Sequence, residues 1–197
     1  MRKITLPSLV TLRILVCPNP GSREPQIEFL KAILAPMLQT LVLEDISPYE
    51  IQQLNHDKPD LPMLRSLAIA PTRDSPQDVR LLLDSIFPDI IHLNVRSSMA
   101  RASWFFHPSS SVQFCPRLEV LTLHELPCSQ VTPFCQSLVE RSMSCSLPRK
   151  IFLRNCDASV VNTFLTSLRD LELHIEVYSN TGGDVPWYEA VETRKCW

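Results

Sequence analysis

Apolar residues recur along this chain in two alternating rhythms. The first is a short phrase whose leucine-type residues fall three and then two positions apart. It reads LPSLVTLRI at Leu6–Ile14, APMLQTLVL at Ala35–Leu43, LPMLRSLAI at Leu61–Ile69, FPDIIHLNV at Phe87–Val95 and CPRLEVLTL at Cys115–Leu123. The end of each phrase alternates apolar and polar, which is the period of a strand. LPRKIFL at Leu147–Leu153, two residues short, and LTSLRDLEL at Leu165–Leu173, without a proline, read as weaker copies. The second rhythm is helical. Glu24–Leu34 sets Ile27, Leu30, Ile33 and Leu34 on one stripe, and Ser75–Ile86, Gln130–Arg141 and Asp157–Leu168 carry similar stripes. Ser47–Leu54 opens with Ser-Pro, an N-cap followed by a proline that a first helical turn tolerates. The proline of each phrase marks where a helix has ended and the next strand approaches.

The second leucine-type anchors of the copies are Leu12, Leu41, Leu67, Leu93, Leu121, Ile151 and Leu171, spaced 29, 26, 26, 28, 30 and 20 residues. That period, with the core L-x-x-L-x-L, is the signature of leucine-rich repeats. One phrase cannot bury its own leucines. Strands stacked in parallel place each leucine over its neighbour and make a continuous core. The expected fold is an α/β leucine-rich-repeat solenoid: a short curved parallel sheet, helices on the convex side and about seven degenerate repeats. It should span residues 1–177, with a weakly ordered tail at 178–197. Three positions after each last leucine the repeats favour a small hydrogen-bonding residue; here stand Cys17, Ile46, Thr72, Ser98, Leu126, Cys156 and Glu176. Ser97–Phe114 breaks the rhythm and reads as a short helix followed by a loop, with Trp104, Phe105 and Phe106 tucked onto the core.

Composition narrows the function classes. The chain has 197 residues, enough for one domain or one short solenoid, and 45% hydrophobic against 20% charged residues supports a packed core. A net charge of −2 without a basic run gives nucleic acid no electrostatic footprint. No apolar stretch is long enough to span a membrane. The basic start MRKITLPSLVTLRILVCP superficially resembles a signal peptide, but Pro7 and Arg13 interrupt it and it fits the repeat phrase. The seven cysteines are odd in number and form no CxxC pair, which suits reduced thiols in the cytoplasm or nucleus.

Chemistry-bearing constellations are thin. The three glycines form no phosphate cradle, and G-x-S-x-G and H-E-x-x-H are absent. His92 and His124 on adjacent repeats make a metal pair conceivable, and Cys156 with His174 a nucleophile pair. The plainer reading is a solvated strand face and a turn-stabilising thiol, with His56 and His107 in loops. The expectation is therefore no catalytic residue, no metal, no cofactor and no enzymatic activity.

The positions between the leucines should line the concave face. They are Thr11, Arg13, Thr40, Val42, Glu44, Ser66, Ala68, His92, Asn94, Arg96, Val120, Thr122, His124, Phe152, Arg154, Asp170, Glu172 and His174. From these, Arg13, Glu44, His92, Asn94, Arg96, Thr122, His124, Phe152, Arg154, Glu172 and His174 form a candidate protein-binding surface. Phe152, Arg96, Arg154 and His92 are its anchors, because aromatic and arginine side chains dominate interface energetics.

The LP-x-L-x-x-L-x-I phrases, CPRLEVLTL, FCQSLVERS at Phe134–Ser142 and LPRKIFLRNC at Leu147–Cys156 resemble the repeat half of fungal-type F-box/leucine-rich-repeat proteins over roughly residues 1–177. The resemblance implies repeats that hold a protein substrate. It also implies an F-box that docks on a Skp-type adaptor of a cullin ubiquitin ligase. The chain enters a repeat directly at Leu6, with no F-box segment ahead of it. Ligase docking is thus expected by analogy alone. The alternative expectation is a truncated or orphan repeat fragment that dimerises through its first strand and has no ligase role.

Overall fold

The computed structural model describes residues 3–16, 25–71, 76–96, 115–142 and 147–178. Ser97–Phe114, the expected tail after Tyr178, and Cys17, Thr72, Ser98 and His107 lie outside these residues, while Tyr178 itself ends a strand. Two short strands, β1 (Ile4–Thr5) and β3 (Ile33–Leu34), form a parallel pair that the sequence pattern did not announce. The main sheet has seven parallel strands in chain order: β2 (Thr11–Leu15), β4 (Thr40–Ile46), β5 (Ser66–Pro71), β6 (His92–Arg96), β7 (Val120–His124), β8 (Lys150–Arg154) and β9 (His174–Tyr178). Among the described residues five α-helices connect them: α1 (Pro25–Ala32), α2 (Pro48–His56), α3 (Pro76–Leu81), α4 (Cys128–Ser142) and α5 (Ala158–Ser167). The fold is α/β. The stripe expected over Ser75–Ile86 ends in a π-helical turn, Leu82–Ile86, closed by the Phe87 N–H on the Leu82 carbonyl at 2.9 Å.

Register follows the anchors. Leu12, Leu41, Leu67, Leu93, Leu121 and Ile151 are successive Cα partners across six strands. The seventh is Ile175, not Leu171. The cause is local. The Leu171 N–H bonds the Leu168 carbonyl at 3.0 Å, so LRDL is the turn before the strand. The Leu173 N–H then bonds the Leu171 carbonyl at 2.7 Å, a tight turn that delays the strand.

The same devices recur from strand to strand. Before four strands an N–H closes a turn on the carbonyl three residues back: Leu9 on Leu6, Leu38 on Ala35, Leu64 on Leu61 and Leu118 on Cys115. Pro7, Pro36, Pro62 and Pro116 occupy the second position, where fixed φ suits such a turn. One carbonyl then takes two successive N–H groups at the start of the next strand. Val10 accepts from Gln39 and Thr40, Gln39 from Arg65 and Ser66, Arg65 from Ile91 and His92, and Ile91 from Glu119 and Val120. A non-glycine residue turns left-handed inside β4 at the register shift between Glu44 and Ile46, Asp45 at φ 55°, and directly after β7 and β8, Glu125 at 57° and Asn155 at 52°.

The anchor side of the sheet holds the main core. Leu41, Leu43, Leu67, Ile69, Leu93, Val95, Leu121, Leu123, Ile151 and Leu153 pack with Ile27, Leu30, Ile51, Leu54, Val79, Leu82, Val131, Leu138 and Val160 from the helices. Phe134 of α4 and Phe164 of α5 join that core as a stacked pair. Burial at about 25 cal/mol per Å² of apolar surface is the main force holding this layer.

Candidate interaction face

The residues between the anchors form ladders across the opposite face, where neighbouring strands run about 4.8 Å apart. One ladder runs Thr40, Ser66, His92, Val120, Lys150, His174. The next runs Arg13, Val42, Ala68, Asn94, Thr122, Phe152, Glu176. A third joins Arg96, His124, Arg154 and Tyr178 at the strands' C-terminal ends. It sets two arginines and a histidine side by side.

At one end Arg13 clasps Glu44, with Nε 2.7 Å from Oε1 and Nη2 3.0 Å from Oε2. This is the planar, two-pronged geometry that arginine makes with carboxylates. The pair is partly open to water and contributes at most about 1 kcal/mol. At the centre Arg96 Nη2 lies 3.7 Å from Glu125 Oε1, with both side chains substantially exposed. At the far end His174 Nε2 is 2.7 Å from Glu176 Oε1, and the Tyr178 hydroxyl donates to the other carboxylate oxygen. The Tyr178 hydrogen bond, aided by His174, holds the Glu176 carboxyl below the ordinary carboxylate range. Tyr178 also leans on Phe152, with ring centroids 5.8 Å apart at 52°.

The structure corrects the expected accessibility of this face. Asn94, Thr122, His124, Phe152 and Arg154 lie on the ladders but are buried. Tyr178 supplies part of the cover over Phe152. The large buried side chains of the described helices belong to the main core. Arg13, Arg96 and His174 are exposed, and His92 and Glu44 are half-buried. Glu172 and Asp170 are exposed but stand in the turn before β9, because the strand begins later than the leucine spacing suggests. Sequence reading missed Glu125, Glu176 and Tyr178. The alternation in HIEVY, rich in β-branched residues, was the signal for the last two.

The histidine and cysteine pairs do not assemble. His92 is opposite Val120 and His124 opposite Arg96, so the two histidines sit on different ladders. Among the described residues no group of three His, Cys, Asp or Glu side chains is placed to hold a metal ion. The Cys156 Sγ donates to the Arg154 carbonyl at 3.5 Å. Burial pushes its thiol up, against backbone hydrogen bonds with Leu126 and Glu125 that pull it down. A protonated thiol tied to the strand-exit turns suits structure rather than nucleophilic attack. No helix among the described residues is long and apolar enough to cross a membrane.

Neither the scan against protein-family models nor the search of curated proteins found a match to this chain.

Proposed function

We propose that the chain is a leucine-rich-repeat stack serving as a non-enzymatic protein-binding module, similar to the substrate-recognition repeats of an F-box ubiquitin-ligase subunit. The observation that carries the reading is the repetition of one strand register across seven strands, with the described helices packed on the anchor side. That arrangement turns a ladder of charged and aromatic groups to the other side. Arg13, Glu44, His92, Arg96, Glu176 and His174 are its accessible members. Half-buried Tyr178, leaning on buried Phe152, adds an aromatic contact among these charged groups, which suits a mostly polar partner surface. The partner is a protein; nucleic acid, a membrane and a cofactor have no part in the proposal. The cytoplasm or nucleus is the proposed compartment, since reduced thiols fit there.

Affinity capture from native extract tests the reading, with the chain and its Arg96→Glu/His92→Ala variant run in parallel. A protein held by the parent and lost by the variant supports the face. Identical capture by both overturns it. A Skp-type adaptor and a cullin in both samples support ligase docking, and their absence from both counts against that part.

A further inference from the structure

The two ends of the main sheet complement each other. Each inner strand turns one set of backbone groups to the strand before it and the alternate set to the strand after it. On β2, the Val10 carbonyl and the Val16 N–H face β4, through Thr40 at 3.1 Å and Glu44 at 2.9 Å. By alternation the backbone groups of Thr11, Arg13 and Leu15 turn outward. On β9, the His174 N–H and the Tyr178 carbonyl face β8, each through a 3.1 Å bond. The groups of Ile175 and Val177 therefore turn outward. Among the described residues no strand pairs with either outer edge. The outward set of β9 is the set that every inner strand offers to its successor. That of β2 is the set every inner strand offers to its predecessor.

We propose that a second copy of the chain docks head to tail, placing its β2 beside β9 and continuing the parallel sheet in the internal register. The side chains fit that register. Ile175 meets Leu12 and Val177 meets Ile14 on the core side. On the other face Glu176 meets Arg13, and Tyr178 meets Leu15. The arginine fork has five donors, enough for Glu44 and a second carboxylate. Docking exchanges contacts that Arg13, Leu15 and Tyr178 keep within the chain for contacts across the joint. Five of the exposed large apolar residues stand at the two ends: Ile4 on β1, Val10 just before β2, Leu15 on β2, and Leu165 and Val177 on α5 and β9, with Phe29, Met37, Tyr49 and Met63 elsewhere. Such side chains are normally dispersed on a monomer's surface. The proposal rests on the stacked-repeat reading and not on the identity of any concave-face partner. Because the joint is head to tail, copies add without closing unless the rotation happens to complete a ring.

The test is sedimentation equilibrium of the 197-residue chain, the Arg13→Glu variant, the Glu176→Arg variant and an equimolar mixture of the two variants. The parent should show an average mass that climbs above 22.5 kDa with concentration. Each variant alone should associate at least roughly tenfold more weakly, since like charges then meet at the joint. The mixture should regain the parent's association, growing by alternation of the two variants, because each mixed joint brings one carboxylate and one guanidinium together. That recovery also shows that both variants fold. A parent that stays monomeric up to roughly 1 mM, where even a millimolar Kd would register, overturns the proposal. So does association untouched by both changes, or a mixture that associates no better than either variant alone. The capture experiment on Arg96 and His92 can fail while this one succeeds.

Discussion

Phe134 and Phe164 stack across α4 and α5 with ring centroids 5.7 Å apart and planes 29° from parallel. Both rings are fully buried, and they tie the last two helices to one core. Truncating Phe164 to alanine removes the stack and leaves a cavity. The expected loss is about 3–5 kcal/mol. Thermal melting should show a midpoint lower by roughly 10 °C, at about 2–4 °C per kcal/mol for a chain of this size. A drop of only a degree or two would mean that these helices do not share a core.

Arg96 and Arg154 occupy one face but differ in exposure, so their charge reversals should differ in kind. Arg154 is 9% exposed, whereas the Arg96 side chain is 48% exposed. Arg154→Glu should cost about 3–5 kcal/mol in urea unfolding, the range for leaving a charge buried without compensation. Arg96→Glu should stay within about 0.5 kcal/mol. Equal effects would contradict the burial pattern.

Cysteine reactivity should follow burial. Burial drives the Cys135 thiol from 9.0 up to about 11, against a hydrogen bond with Ser167 that lowers it. In the native protein, iodoacetamide at pH 8 should label exposed Cys128 readily and leave Cys115 and Cys135 unlabelled. The sign of the linked stability is fixed by the raised folded-state value. The contribution is present below pH 9 and is lost as pH rises toward about 11. Rapid native labelling of Cys135 would show that the α4 face opens.

Glu176 should titrate below 4.5, because the Tyr178 hydroxyl and then His174 favour its charged form. Its stabilising contribution is present above pH 4.5 and is lost as pH falls through the lowered value. In Tyr178→Phe, carbon-detected NMR titration should move the Glu176 carboxyl back toward 4.5. An unchanged titration would remove the tyrosine from that hydrogen bond.

The leucine spacing made six anchors legible, because each leucine must stack on its neighbour for any to be buried. Leu171 misled because the leucines of LTSLRDLEL serve a helix end and a turn, while the strand itself is built on Ile175 and Val177. The helices were legible to within a few residues at each end, since their stripes must meet the anchors. β1 carried no periodic signal, whereas Ile33 and Leu34 of β3 and the π-helical turn lay inside stripes that read as continuous α-helix. The accessibility of the opposite face carried no signal either. Asn94, Thr122 and His124 look like solvent-facing residues in a two-residue period, and period alone does not report what surrounds a strand.

The shared carbonyls of Val10, Gln39, Arg65 and Ile91 separate two kinds of length in this chain. Each fixes where the next strand starts, so the strands keep step although 29, 26, 26 and 28 residues separate the first five anchors. Insertions and deletions therefore accumulate as slack on the helical side, like links let out behind a zip whose teeth stay meshed. Such a chain can diverge in length from copy to copy while its strand face keeps the same pitch.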